Sequence, residues 1–305
     1  VPCYNLGFPS TKDFEWVVQS NQIWDCPVTV TDIKVASKIW GKDIAMLKGK
    51  MKRKPSPATK DLVKVPKEFV KLHHDVTMMM DVFHVNKIPF FVSLSRVIYF
   101  TGAQHLPNRK IDSIFKAFMK VHTHYLHRGF RIEIVLANGK FEPLKSLIEA
   151  FPHGPRLNLC ARGEHVADIE RCIQVIKQCS HSVCHAMPFT KIPRILAIHI
   201  VFRSVSLLTY FPSKGGVSST LSPMTIMSGE QLDCKKHLSL QIGQCCQVHE
   251  EDHPHSSQLA RTRGVTCLGP SGDLQGSHKF MALNSGKKIM HHSWDVVPML
   301  DTVRV

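Results

Sequence analysis

Residues 78–100, MMMDVFHVNKIPFFVSLSRVIYF, decide how this chain is read. Met78 to Val85 and Pro89 to Ser95 are runs of apolar, β-branched and aromatic residues, the composition of strands. Asn86-Lys87 between them is a turn, so the two runs should pair as a hairpin. One carboxylate, Asp81, lies inside the first strand. Burying a charge is costly unless it is paired or binds a metal. Asp81 is therefore either an edge residue facing water or part of a site, and the downstream sequence favours the site.

Val97 to Thr101 reads as a third strand. Asn108 to His127 is an amphipathic helix with Ile111, Ile114, Phe115, Phe118, Met119 and Leu126 on its apolar face. Arg128-Gly129 closes it, with Gly129 as a left-handed cap. Phe130 to Leu136 is a fourth strand that runs into the turn Ala137-Asn138-Gly139. Polar residues at the end of such a strand are where α/β sites sit. A loop with Pro152, Gly154 and Pro155 follows, and Arg162-Gly163-Glu164-His165 precedes a helix over Val166 to His181. Asp168, Glu170 and Arg171 lie near its N-terminal end, while Ile169, Cys172, Ile173 and Ile176 supply its packing face. The apolar run Ile195 to Phe211 is shorter than the ~20 residues a membrane span needs, and His199 and Arg203 interrupt it. It reads as a buried helix, and no membrane partner is expected.

Upstream, Val30 to Trp40 has helical spacing, with Thr31 or Asp32 as cap and Gly41 as terminator. Residues 41–74 carry ten Lys/Arg against three acids. Pro55, Pro57 and Pro66 should keep this stretch extended, as a linker. The tight cluster Lys48, Lys50, Lys52, Arg53 and Lys54 reads as an arm that contacts phosphates, the alternative being a solvated linker. From Gly215 onward Gly, Ser and Pro become frequent. Short alternating runs at Cys245 to His249, Gly264 to Leu268, His278 to Leu283 and Lys287 to His292 predict a small all-β module.

The chain has 305 residues, is 43% hydrophobic and 21% charged, and so is globular rather than a disordered tail. Its formal charge of +15 favours a polyanionic partner, nucleic acid first. Ten scattered cysteines without a C-x-x-C pair suit reduced, intracellular thiols better than a disulfide framework. The N-terminus lacks the layout of a signal peptide. The chain starts at Val1 without Met and stops in mid-pattern at Val305, and is expected to be a fragment of something longer. Nuclear or cytoplasmic residence, without secretion, is the corresponding expectation.

The order of elements is a strand with Asp, two more strands, a helix, a strand ending in an Asn-Gly turn, a loop, and a helix bearing Glu170-Arg171. That order resembles the catalytic core of retroviral and copia-type retrotransposon integrases. The tail adds to the resemblance. Leu221-Ser222-Pro223-Met224-Thr225-Ile226-Met227-Ser228-Gly229 is similar to the T-P-y-e-l-w-x-G segment after copia-type cores. Gly243 to His249, Cys267-Leu268-Gly269-Pro270 and Gly286 to Val296 resemble, in order, three segments of the small β-barrel that follows in copia polyproteins. The resemblance covers residues 41–300. It implies an RNase H-like α/β fold with a mixed sheet of about five strands flanked by helices, plus a small C-terminal all-β barrel. The expected partition is 1–75 as a helical segment and basic linker, 76–212 as the integrase-like core, 213–235 as a connector and 236–298 as the barrel.

The resemblance also implies a site. Integrases of this kind use three carboxylates to hold two Mg²⁺ or Mn²⁺ ions for in-line phosphoryl displacement on DNA. Asp81 matches the first carboxylate and Glu170 the third, with Asp168 as a substitute ligand. At the second position the family has Asp, and this chain has Asn138, with Ala137 the next-best match. An amide offers a carbonyl oxygen but no charge, and Lys140 close by would repel a cation. The site is therefore expected to be degenerate, with Mg²⁺ or Mn²⁺ binding weak or lost. Gly49-Lys50-Met51-Lys52-Arg53-Lys54-Pro55 matches the run after the family's zinc module. The positions where its cysteines belong, between Lys42 and Met46, hold none, so no zinc is expected. Arg171 and Lys177 join the basic cluster as expected DNA contacts, and the resemblance implies a homo-oligomer on DNA. Three readings stay open: a DNA-binding integrase relic, an active enzyme using Asp81, Glu170 and Asp168 with one metal, and a non-catalytic interaction protein derived from a retroelement.

Overall fold

The computed structural model describes residues 5–59, 62–151, 154–160, 166–189, 191–250 and 258–299. Pro152 and Arg162 to His165 lie outside the described residues. The chain divides into two compact units, one of residues 60–239 and one of residues 1–59 with 240–305. Residues 60–75 and 213–239 thus fall within the core unit, and 41–59 group with the C-terminal sheet.

The core unit is built on a five-stranded sheet ordered β3-β2-β1-β4-β5, from β1 (Asp75–Val85), β2 (Ile88–Ser95), β3 (Thr101–His105), β4 (Arg131–Asn138) and β5 (Arg156–Cys160). The first three strands form an antiparallel meander; β4 pairs parallel with β1, and β5 parallel with β4. An antiparallel β1–β2–β3 followed by parallel β4 and β5 on the other side of β1 is the RNase H-like arrangement. Asn86 and Lys87, between β1 and β2, have φ of 49° and 62°, both positive as a two-residue turn of type I′ requires.

Both faces of the sheet are covered, which is why β1 and β2 are nearly continuous apolar runs. On one face Met78, Met80, Phe91 and Ile132 pack with Phe118, Val121 and Tyr125 of α1 (Ile111–His127). On the other, Met79, Phe83, Phe90 and Val92 pack with Ile169, Ile173 and Ile176 of α2 (Ala167–His185) and with Ala197, Val201 and Val205 of α3 (Arg194–Thr209). Gly129, at φ 80°, caps α1 as its sequence suggested. Among the described residues no helix is long and apolar enough to cross a membrane.

Five local expectations are corrected. The third strand starts at Thr101, not Val97. Val97 and Tyr99 have positive φ, the Phe100 N–H and carbonyl bond back to Ser95, and Ile98 turns into the core. The stretch after Pro155, read as loop, supplies β5, whose Leu157 is buried at the sheet edge. The basic stretch is not extended throughout, because Ile44–Lys50 and Lys67–Leu72 are helical. Asp43 caps the first of these through the N–H groups of Ala45 and Met46. The helix Val30–Trp40 is capped by Thr29, and Asp32 completes a capping box with it. Residues around the expected connector also pack into the core: the helix Pro223–Ser228 buries Ile226 and Met227 there, and Arg128 Nε donates to the Met227 carbonyl.

The second unit carries an antiparallel sheet ordered β10-β6-β7-β8-β9, from β6 (Cys245–His249), β7 (Thr262–Pro270), β8 (His278–Ala282), β9 (Lys288–His291) and β10 (Trp294–Val296). Each of the four alternating runs read from the sequence overlaps one strand. Trp294 of β10 lies 4.5 Å from His278 of β8, ring centre to ring centre, although two strands separate them in the sheet. Three strand spacings of about 4.8 Å would hold them far apart on a flat sheet, so the sheet curls tightly around Val248, Val265 and Phe280. The helix Ile44–Lys50 docks on this sheet: Leu47 packs with Cys245 and Val297, and the Arg261 N–H donates to the Lys48 carbonyl.

Candidate active site

β1 and β4 run in parallel with Met79 opposite Leu136. Two residues further along each strand, that register puts Asp81 opposite Asn138 on the same face of the sheet. It is the face that packs against α2 and α3, since Met79, Phe83 and Leu136 share its core. The side chains meet there: Asn138 Nδ2 donates to Asp81 Oδ1 at 3.3 Å. The same Oδ1 accepts the Val82 N–H at 2.7 Å.

Asn138 is held from both ends. Its own Oδ1 accepts the Lys140 N–H at 3.3 Å and so caps the short 3₁₀ helix Gly139–Leu144. The amide thereby gives its donor to Asp81 and its acceptor to the backbone. A carboxylate at this position could make the second bond but not the first.

Burial pushes the Asp81 carboxyl above the usual carboxylate range. The Val82 N–H, the Lys140 charge and the Asn138 amide oppose this, and the negative charge of Glu170 adds to it. Ile169 and Ile173 anchor α2 over the Asp81 face, so Glu170, in the first turn of that helix, reaches the field of Asp81. The paired strands thus bring Asp81 and Asn138 into contact, and Glu170 lies on the helix that covers the same face. The charge of Lys140, two residues after Asn138, also acts on Asp81.

Asp168 faces Arg96, in the loop after β2, at 3.5 Å, with both side chains exposed. Among the described residues no group of three or more His, Cys, Asp or Glu is placed to hold a metal ion. Sequence reading missed Arg96 as the partner of Asp168, since loop residues distant in sequence carry no such signal. It saw in Lys140 only a repulsive charge and not a counterion.

The basic residues divide. Lys48, Lys52, Arg53 and Lys54 are exposed, as are Arg171 and Lys177 on α2. Lys50 is committed within its own unit, its Nζ donating to the carbonyls of Gly7 at 3.0 Å and Phe8 at 2.7 Å.

No family model and no curated protein matches the chain. Among the solved structures that match is the catalytic core domain of BIV integrase, at 13% identity and a TM-score of 0.35, covering 51% of this chain and 93% of that one. The strand order and pairing above, not this alignment, carry the statement that the core unit is an RNase H-like α/β domain.

Proposed function

We propose that this chain is an integrase-derived nucleic-acid-binding protein of the copia type, with DNA as its partner and a strand-transfer centre that no longer works. The observation that carries this reading is the Asn138-to-Asp81 hydrogen bond, with Lys140 beside it. A two-metal centre needs charge from three carboxylates to replace the ions' hydration. Here one carboxylate is an amide that donates to another, and a lysine neutralises what remains. Such a site is content without a cation. Asp81, Asn138 and Glu170 then mark the former catalytic positions, and any residual Mg²⁺ or Mn²⁺ rests on Asp81 and Glu170. A one-metal enzyme would need Asp168 to leave its exposed ion pair with Arg96 and turn to the ion. The formal charge of +15 supports a polyanionic partner.

The test is a nicking and strand-transfer assay in Mn²⁺ on the chain as it stands, beside DNA binding measured against salt. Binding that weakens steeply with salt, with no metal-dependent turnover, is the expected result. Turnover that Asp81→Asn abolishes would establish an active enzyme instead. A salt-independent or absent DNA affinity would point to a protein-interaction role.

A further inference from the structure

α2 carries a second arrangement near its C-terminal end. His181 and His185 stand one turn apart on its exposed side, and their Nε2 atoms are 2.9 Å from each other. Glu170 lies eleven residues earlier on the same helix, a rise of about 16 Å, so the two places are distinct. The rings are nearly perpendicular, at 85°, with centres 4.3 Å apart.

Two explanations fit two imidazole nitrogens at this distance. One is a straight N–H···N bridge; the other is a pair of lone pairs aimed at a common point. A straight bridge would set the ring centres about 5 Å apart, whereas an ion in line with both nitrogens would set them about 4.5 Å apart. The observed 4.3 Å is too short for a straight bridge and is near the value for convergence, which a bridge bent at the acceptor also reaches. With metal–nitrogen bonds of about 2.05 Å, the 2.9 Å separation subtends about 90° at the ion. A tetrahedral ion would need the nitrogens about 3.3 Å apart. The right angle is the cis angle of square-planar or octahedral coordination.

We propose that His181 and His185 form a binding site for a divalent transition-metal ion that takes imidazoles at right angles, Cu²⁺ or Ni²⁺. His185 is the last residue of α2, where the partial negative charge of the helix C-terminus favours a cation. His181 also lines an open cleft of about 330 Å³ together with His84, Lys177 and Cys184, which leaves room for water to complete the coordination. Lys177, one turn before His181, is the charge that opposes binding. The site does not depend on the integrase reading, and its failure would leave that reading untouched.

The chain carries 19 histidines, so the test concerns the first equivalent of metal. Cu²⁺ is titrated into the full chain, with paramagnetic resonance and calorimetry as readouts. The first equivalent should show at least two equatorial nitrogens. His181→Ala and His185→Ala should each weaken it by at least about tenfold, with metal-free melting unchanged because both positions are exposed. Ni²⁺ should bind the site more tightly than Zn²⁺. A first equivalent that shows one nitrogen, that survives both substitutions, or that prefers Zn²⁺ over Ni²⁺ overturns the assignment. The resonance spectrum of the unmodified chain decides even if a variant misfolds.

Discussion

Asn138→Asp sets a carboxylate where the proposed integrase reading expects one, and its consequence follows from the geometry. The substitution removes the Nδ2 donor and sets a second negative charge about where the amide nitrogen now lies, 3.3 Å from Asp81 Oδ1. At an effective dielectric near 20, two unit charges at that distance repel by about 5 kcal/mol. Rotation of the side chains, solvent and a shared proton relieve most of it, leaving roughly 1–2 kcal/mol of destabilisation without metal. For a unit of this size that lowers the melting temperature by about 3–6 °C. A divalent cation reverses the sign, because the repulsion becomes a binding site. Melting of both chains in chelator and in Mn²⁺ checks this. The parent should be indifferent to Mn²⁺; the variant should melt lower in chelator and recover with the ion. Adding Lys140→Ala should sharpen the recovery, since the competing charge is gone. A variant that melts like the parent in chelator and ignores Mn²⁺ would show that Asn138 does not stand where a third metal-binding carboxylate belongs.

Asp81→Asn should raise stability at neutral pH. Burial holds the folded-state value of Asp81 above its unfolded one, so the cost of the carboxylate is absent below the unfolded value and full above the folded one. The gain should therefore fade as pH falls through the raised value toward the ordinary carboxylate range; a gain constant with pH in melting curves would assign it to packing instead. Lys87→Gly should stabilise the β1–β2 hairpin by about 0.5–1 kcal/mol, because φ of 62° strains a residue with a Cβ; denaturant midpoints measure it, and a drop in stability would mean the turn relaxes in solution. Lys52→Glu with Arg53→Glu and Lys54→Glu should weaken DNA binding for all sequences alike and flatten the salt slope by about one unit for each phosphate no longer neutralised. Lys50→Ala should instead act on stability, costing about 1 kcal/mol by freeing the Gly7 and Phe8 carbonyls. An unchanged slope in the triple variant would make this stretch a solvated face.

The hairpin, the helix closed by Gly129, the apolar helix after Pro193 and the four alternating runs of the tail were legible in the sequence. Each is a local pattern: period, turn chemistry or cap within a few residues. Asp81 stood out for the same reason, as a charge inside an apolar run. What the sequence left open depended on neighbours distant along the chain. β5 is a five-residue strand, and only its parallel partner β4 distinguishes it from the loop that its flanking Gly and Pro suggest. The strand break before Thr101 comes from Ser95 binding Phe100 across a turn. The grouping of residues 1–59 with 240–305 rests on long-range packing that no local pattern records. The site shows the division most clearly. The resemblance to integrases nominated Asp81, Asn138 and Glu170, but the parallel register of β1 and β4 put the first two on one face. Packing of Ile169 and Ile173 laid the helix that carries Glu170 over the same face, and only the folded chain could show that an amide bonds Asp81 and that a lysine charge acts on it.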